Sequence, residues 1–249
     1  MGFLKGIFDD IKMQITDPNG YLGKYGEDLT ERQLNIVKLF GRSGVTLRNV
    51  YLPADKGETS EIDLLYITQK GIFVLESKNY SGWIFGSESQ YQWTSSLPNG
   101  EKFHFYNPIK QNKTHIKWLT EFLKQEIPMF SLIVFSERCE LKKITVNDPN
   151  VHVFNRDETY WVIRRIWESS PNALSEDEIK EISEKLKVLT NVDEAKKLEH
   201  IEQIKKKSLI CPRCGAELVL RTAKRGENAG NQFYGCSNYP KCKFTKNEE

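Results

Sequence analysis

The chain of 249 residues contains no run of 18 or more apolar residues, so nothing in it reads as a membrane-spanning helix. It has little histidine. Of the four, His104, His152 and His200 have no ligand-like neighbours, and His115 reads as structural. There is no Gly-rich phosphate loop, no Ser-His-Asp arrangement and no Cys-His pair, which sets aside P-loop nucleotide hydrolysis and serine or cysteine hydrolases. No internal repeat is visible, which sets aside a solenoid. The body of the chain is almost free of cysteine: only Cys139 precedes the last 39 residues, so no disulfide framework supports the fold.

What is present suffices for a folded core. Apolar residues make up 39% and aromatics 11%, and the length allows one good-sized domain plus something small. The net charge of +2 names no partner, but its distribution is uneven. From Lys205 to Glu249 there are 10 Lys and Arg against 4 Asp and Glu, leaving the rest of the chain at −4. A basic tail on an acidic body suggests nucleic-acid contact. The opening MGFLKGIFDDIKMQI interleaves charges with apolar residues and offers no small-residue cleavage site. Gly6 also breaks the myristoylation pattern. We expect a short amphipathic docking helix there and a cytoplasmic location.

Hydrophobic periodicity predicts a helix over YGEDLTERQLNIVKLF, then strands at VTLRNVYLP, EIDLLYI, IFVLESK, GWIFGS and YQWTSS. Asn107-Pro108 has the form of an N-cap followed by a first helical proline. The apolar stripe from Ile109 to Ile127 extends that helix. SLIVFSE reads as a central strand and VHVFN as another. RDETYWVIRRIWESS reads as a helix begun by Asn155, and Ser175 with Glu178 as the capping box of a further one. The order predicts an α/β fold with a mixed sheet. The expected organisation is an N-terminal segment 1–20, a main domain 21–170, a helical linker 171–207 and a small cysteine-bearing domain 208–249. Trp83, Tyr91, Trp93 and Trp118 are expected in the core.

The stretch EIDLLYITQKGIFVLESKNY places charges inside what should be a buried hairpin. With Gln69-Lys70 as a two-residue turn, Ile67 faces Ile72, Leu65 faces Val74 and Asp63 faces Glu76. Lys78 projects from the same face as Glu76. Two opposed carboxylates repel, and one should take up a proton unless a divalent cation intervenes. Mg²⁺ or Mn²⁺ held by Asp63 and Glu76, with Lys78 orienting water or stabilising developing charge, is a plausible site for phosphodiester hydrolysis. The competing reading is an edge hairpin with a solvated Lys–Glu pair.

The ordered set Gly26-Glu27, Glu61-Ile62-Asp63, Glu76-Ser77-Lys78-Asn79, Gly82 and Asn107-Pro108 with Gln111 resembles the nuclease-related domain, NERD, of the PD-(D/E)XK nuclease superfamily. The resemblance covers roughly residues 20 to 167 and implies a restriction-endonuclease-like fold. It implies Asp63 and Glu76 as metal-binding carboxylates and Lys78 as the catalytic lysine. It adds Glu27 as the helix glutamate completing the site, and Gln111 as the glutamine of the helix after the core hairpin. Ile62 stands where the superfamily motif has proline.

The tail supplies a second site. Cys211 and Cys214 are separated by two residues, Cys236 and Cys242 by five, and the pairs by 21. Four thiolates in two knuckles are the ligand set of a structural zinc, which some 40 residues would need in order to fold. The alternative is disulfide pairing. CPRCG, FYGCS, Tyr239-Pro240 and Cys242 resemble the four-cysteine zinc finger of bacterial type I DNA topoisomerases, which implies single-stranded DNA as partner. Arg221, Lys224, Arg225, Lys241 and Lys243 can follow phosphates. Phe233, Tyr234, Tyr239 and Phe244 can offer stacking faces or cover the zinc core. The expected function is a metal-dependent DNA nuclease with a DNA-binding ribbon, with a non-catalytic binding or signalling protein on the same fold as the alternative.

Overall fold

The two strands around Gln69-Lys70 pair in the expected register. The computed structural model describes residues 21–190, 200, 202, 209–211, 213–224 and 229–247. The N-terminal segment 1–20, the Lys205–Ser208 run and Arg225 lie outside the described residues. The chain divides into two units, Met1–Asn191 and Val192–Glu249.

In the first unit, α1 (Tyr21–Leu39) leads into β1 (Gly44–Pro53), β2 (Thr59–Thr68) and β3 (Gly71–Lys78). These three strands form an antiparallel meander. β7 (Met129–Phe135) and β9 (Val151–Asn155) then extend the sheet in parallel, giving the order β1-β2-β3-β7-β9. The hairpin is therefore central rather than an edge. Gly71 closes its turn at φ 124, where a Cβ would lie 2.2 Å from the Pro128 carbonyl oxygen, so only glycine fits.

Helices cover both faces of this sheet. Leu34 and Val37 of α1 pack with Ile163 and Ile166 of α3 (Thr159–Ser169) against Leu64, Phe73 and Leu75. Leu119 and Leu123 of α2 (Pro108–Leu123) pack with Ile182 and Leu186 of α4 (Glu176–Lys187) against Leu65, Ile67, Ile72 and Val74. Asn107 Oδ1 accepts the Ile109 N–H at 2.9 Å, capping α2 just before Pro108. Ser175 and Glu178 form the capping box of α4. The helix after Asn155 begins as a 3₁₀ turn, Arg156–Glu158, before α3. Leu174, Ile182 and Leu186 of the segment expected as a linker are thus part of the first unit's core.

A second sheet, order β6-β5-β4-β8, stands beside the first. It joins β4 (Gly82–Ser87), β5 (Gln92–Ser96), β6 (Lys102–Tyr106) and β8 (Cys139–Thr145). The sequence reading did not resolve β6 and β8. Ile84 and Trp93 of this sheet pack on Ile109, Ile133 and Phe135. Trp93 is fully buried as expected, and Trp118 is half-buried. Trp83 and Tyr91 are not core residues: they are 41% and 49% exposed, Trp83 on the solvent face of β4 and Tyr91 in the bend before β5. Cys139 is a buried thiol pushed up to about 12 by burial, and so is unreactive at neutral pH. Among the described residues no helix is long and apolar enough to cross a membrane.

The second unit contains a three-stranded antiparallel sheet of β10 (Leu218–Thr222), β11 (Gln232–Cys236) and β12 (Thr245–Asn247). Its core is built on the cysteines and Leu218.

Candidate metal-carboxylate cluster and zinc ribbon

The hairpin ladder runs from Thr68–Gly71 to Leu64–Leu75 and stops one pair short of Asp63 and Glu76. Asp63 instead accepts the Ser77 N–H at 2.8 Å through Oδ2. The cause lies on the neighbouring strand. The β1–β2 register is continuous from Gly44 to Pro53 except opposite Asp63, where Asn49 takes φ 48. Side-chain alternation is reset there: Val45 and Leu47 before the irregularity, and Val50 and Leu52 after it, all face the same core. The irregularity releases Asp63 from strict pleating at the end of the hairpin.

Glu76 is buried on the α2 side of β3. Its Oε1 lies 2.7 Å from Lys78 Nζ, and its Oε2 lies 3.2 Å from His115 Nε2. Lys78 also donates to Gln111 Oε1 at 3.1 Å, and His115 Nδ1 lies 2.7 Å from Ser60 Oγ. Gln111 and His115 are one helical turn apart on α2, which explains why one helix face meets the cluster. Asn112 fastens that helix: its Nδ2 donates to the Val74 carbonyl and to Ser131 Oγ, both at 2.8 Å.

Glu27 reaches the cluster from the opposite face of the sheet, on α1. The helix approaches β3 closely because residue 26 is glycine. A Cβ there would sit 3.2 Å from Asn79 Cβ and 3.4 Å from Ser77 Oγ. Thr30 Oγ1 lies 3.2 Å from Ser77 Oγ and accepts from the buried Arg156 guanidinium at 3.1 Å, pinning the helix. Arg48 on β1 gathers the acids of α1: it lies 3.5 Å from Glu27, 2.6 Å from Asp28 and 3.0 Å from Glu31.

The charges are unequal. Burial, then the charges of Glu76 and Glu27, push Asp63 well above the usual carboxylate range. Burial opposes ionisation of Glu76 too, but the Lys78 charge and the His115 ring outweigh it and hold its carboxyl low. For Lys78, burial is outweighed by Glu76, Tyr80 and Asp63, so the ammonium is held above its ordinary value. Glu27 is pushed up to about 7 by burial, against the pull of Arg48. Two neighbouring carboxyls with their pKa values driven apart, beside a fixed cation, form an acid–base constellation of the kind found at reactive sites.

Of the residues singled out in the sequence, Lys78 touches both Glu76 and Gln111 directly. Asp63 joins them through Ser77 and by charge, and Glu27 by charge alone. The Lys–Glu pair exists, but buried in a central strand rather than solvated. His115 is a cluster member that the sequence reading placed as structural. Its spacing of four from Gln111 was the available signal. Arg48 and Ser60 carried none.

The four cysteines of the ribbon, like Cys139 in the first unit, are free thiols. The ligand atoms of Cys211, Cys214, Cys236 and Cys242 lie within 4.8 Å of one another. Sγ of Cys211 and Cys242 are 3.7 Å apart, and those of Cys214 and Cys236 are 3.4 Å apart. Sulfurs about 2.3 Å from a shared tetrahedral zinc lie about 3.8 Å apart, so the donor set fits a structural zinc. Without a metal the thiols share their protons unequally: the Ala216 N–H holds Cys214 low, while burial raises Cys236. Lys224, Lys241 and Lys243 are exposed. Arg221 is tied back to the Cys236 carbonyl at 3.1 Å. Tyr234 and Phe244 pack on the cysteine core, whereas Tyr239 is 60% exposed.

A carboxylate–lysine cluster at the end of a central hairpin, with a four-thiolate ribbon on the same chain, defines a nuclease-like protein with a zinc-binding module. Residues 22–136 match the nuclease-related domain, and residues 209–249 match the topoisomerase DNA binding C4 zinc finger. The chain thus pairs a region similar to the nuclease-related domain with one similar to the topoisomerase zinc finger. It is 40% identical over 131 residues to an uncharacterized protein of Bacillus anthracis, a match covering 53% of this chain and 60% of that one. Its tail is 50% identical over 44 residues to DNA topoisomerase 1 of Methanocaldococcus jannaschii, covering 18% of this chain and 5% of the topoisomerase. It is 49% identical over 39 residues to DNA topoisomerase 1 of Helicobacter pylori, covering 16% and 5%. No solved structure matches the chain.

Proposed function

We propose that the first unit hydrolyses phosphodiester bonds in DNA with a divalent cation, and that the ribbon binds single-stranded DNA for it. The observation that carries this reading is the cluster of buried Glu76 with half-buried Asp63 and Lys78, its carboxyl pKa values driven apart. The donors suit a hard cation: they are carboxylates gathered at the end of the central hairpin, with Asp63 and Glu27 raised by burial and by neighbouring negative charge. Asp63 and Glu76 would hold Mg²⁺ or Mn²⁺, and Glu27 would complete the set. When bound, the cation would lower the pKa of a coordinated water and polarise a phosphoryl oxygen.

The roles of the protein groups follow from their protonation. Lys78 is held cationic, so it suits stabilising negative charge on a phosphate rather than accepting a proton. Gln111 fixes its ammonium, and His115 steadies the Glu76 carboxylate. Exposed Lys224, Lys241 and Lys243 would follow a phosphate backbone, and Tyr239 would stack on a base.

One observation favours a second reading, a non-catalytic nucleic-acid-binding protein. Both oxygens of Glu76 already face partners, Lys78 and His115, which would neutralise the site without a metal. Titrating Mn²⁺ into zinc-loaded protein separates the two. The nuclease reading expects a saturable site that Asp63→Ala abolishes, and whose affinity rises with pH as Asp63 and Glu27 ionise. Equal Mn²⁺ binding by wild type and Asp63→Ala would leave the non-catalytic reading standing.

A further inference from the structure

The two faces of the second sheet differ. Its inner face buries Ile84 and Trp93, and Tyr80 stacks on Phe105 at 4.3 Å beside them. That face packs on Phe135, the β7 register partner of Lys78, so the sheet is built next to the carboxylate cluster. The outer face carries Trp83 and Phe85, 41% and 36% exposed, two residues apart on β4. A solvated strand face ordinarily carries polar side chains. Two large rings stand there instead.

The strand neighbours of these rings are short or polar, with lysines among them. Trp83 has Ser96 and then Lys102 as successive cross-strand partners, and Phe85 has Thr94 and then His104. On the other side β8 contains a bulge. Ile84 pairs with Leu141 but Phe85 pairs with Lys143, so Lys142 is an extra residue. Strict alternation would turn one of two adjacent lysines inward. The bulge leaves both exposed and returns Ile144 to the inner side. Lys142 lies 5.7 Å from the centre of the Trp83 ring and pairs with Glu140, the β8 register partner of Trp83.

We propose that this outer face binds single-stranded DNA, with bases stacked on Trp83 and Phe85 and phosphates met by Lys102, Lys142 and Lys143. The choice of DNA rests on the nuclease reading above; the choice of a single strand rests on the rings. A duplex hides its base faces, whereas unpaired bases offer them to aromatic platforms rimmed by lysine. Side chains i and i+2 on a strand stand about 7 Å apart, room for one base at each ring. The site is separate from the ribbon and would hold the strand at the unit that cuts it.

The test uses the full zinc-loaded chain. A bromodeoxyuridine-substituted oligonucleotide is photo-cross-linked and the adducts are mapped to peptides. Affinity is measured by fluorescence anisotropy. We expect adducts on the β4 peptide carrying Trp83, and a loss of about tenfold or more for Trp83→Ala with Phe85→Ala. Lys142→Ala with Lys143→Ala should reduce the slope of log affinity against log salt by about 1.4. Adducts confined to residues 209–249, with unchanged affinity in both double variants, would overturn the proposal. So would tighter binding of the matched RNA at this face. Loss of a dimer in the ring variant with DNA affinity intact would make the face a protein interface instead. Adducts on β4 without cleavage under any metal would uphold this site while removing the nuclease reading.

Discussion

Replacing Lys78 by methionine removes the cation that keeps Glu76 ionised inside the protein. The Glu76 side chain is 2% exposed and Lys78 19%, with nitrogen and oxygen 2.7 Å apart. At an effective dielectric of about 20 such a pair attracts by roughly 6 kcal/mol, much of it offset by desolvation. Breaking a buried pair from one side costs about 3–5 kcal/mol, because the remaining charge is stranded. His115, 3.2 Å from the other oxygen, softens this toward the lower figure. The loss depends on pH, and its sign follows from the shifts. In the wild type the Glu76 carboxyl is held low, so its stabilisation is present above the ordinary carboxyl pKa and is lost as pH falls through the folded value. In the variant burial acts without Lys78 and raises it, so stability falls as pH rises. The destabilisation should therefore be larger at pH 8 than at pH 5. All five tryptophans, residues 83, 93, 118, 161 and 167, lie in the first unit, so fluorescence-detected urea unfolding reports that unit alone. A loss below about 1 kcal/mol, or one independent of pH, would refute the placement of a buried ionised pair.

Further outcomes follow from other groups. Glu27 is raised from 4.5 to about 7, so the wild type loses stability as pH rises across that window. Glu27→Gln should match the wild type near pH 4 and exceed it by about 2 kcal/mol at pH 8 without added metal, as read by unfolding curves at the two pH values. Cys214→Ser should lower the zinc content and collapse the amide dispersion of the second unit in NMR spectra, while tryptophan fluorescence stays native. Gly86→Ala would place a Cβ 2.2 Å from Trp93 Cδ2, so thermal unfolding of the first unit should show a loss of about 3 kcal/mol from overpacking.

The central hairpin could be counted from its turn because Gln69-Lys70-Gly71 allows one short connection, and apolar alternation pins the register behind it. The ladder stops one pair before Asp63, opposite a left-handed Asn49 that leaves no mark in the sequence. Glu76, Lys78 and Gln111 were visible through period-2 and helical spacing around a resemblance. His115 followed the same helical spacing, but one histidine among apolar residues reads equally as core. Arg48 and Arg156 were invisible because their partners lie on α1 and in the segment after β7, brought near only by the sheet order. The second sheet was half read. KFHFY and CELKKIT alternate, but the charged residues of CELKKIT and its bulge obscure the period. Trp83 was misplaced because a tryptophan in a short strand reads as core unless its face is known.

Cleavage of labelled single- and double-stranded DNA by zinc-loaded protein, with Mg²⁺ or Mn²⁺ added or withheld, tests the central claim most directly. The wild type should cut only with added metal, and Asp63→Ala should bind DNA without cutting it. Equal cutting by wild type and Asp63→Ala, or none by the wild type with either metal while DNA stays bound, would contradict the assignment of the hairpin cluster as a nuclease centre.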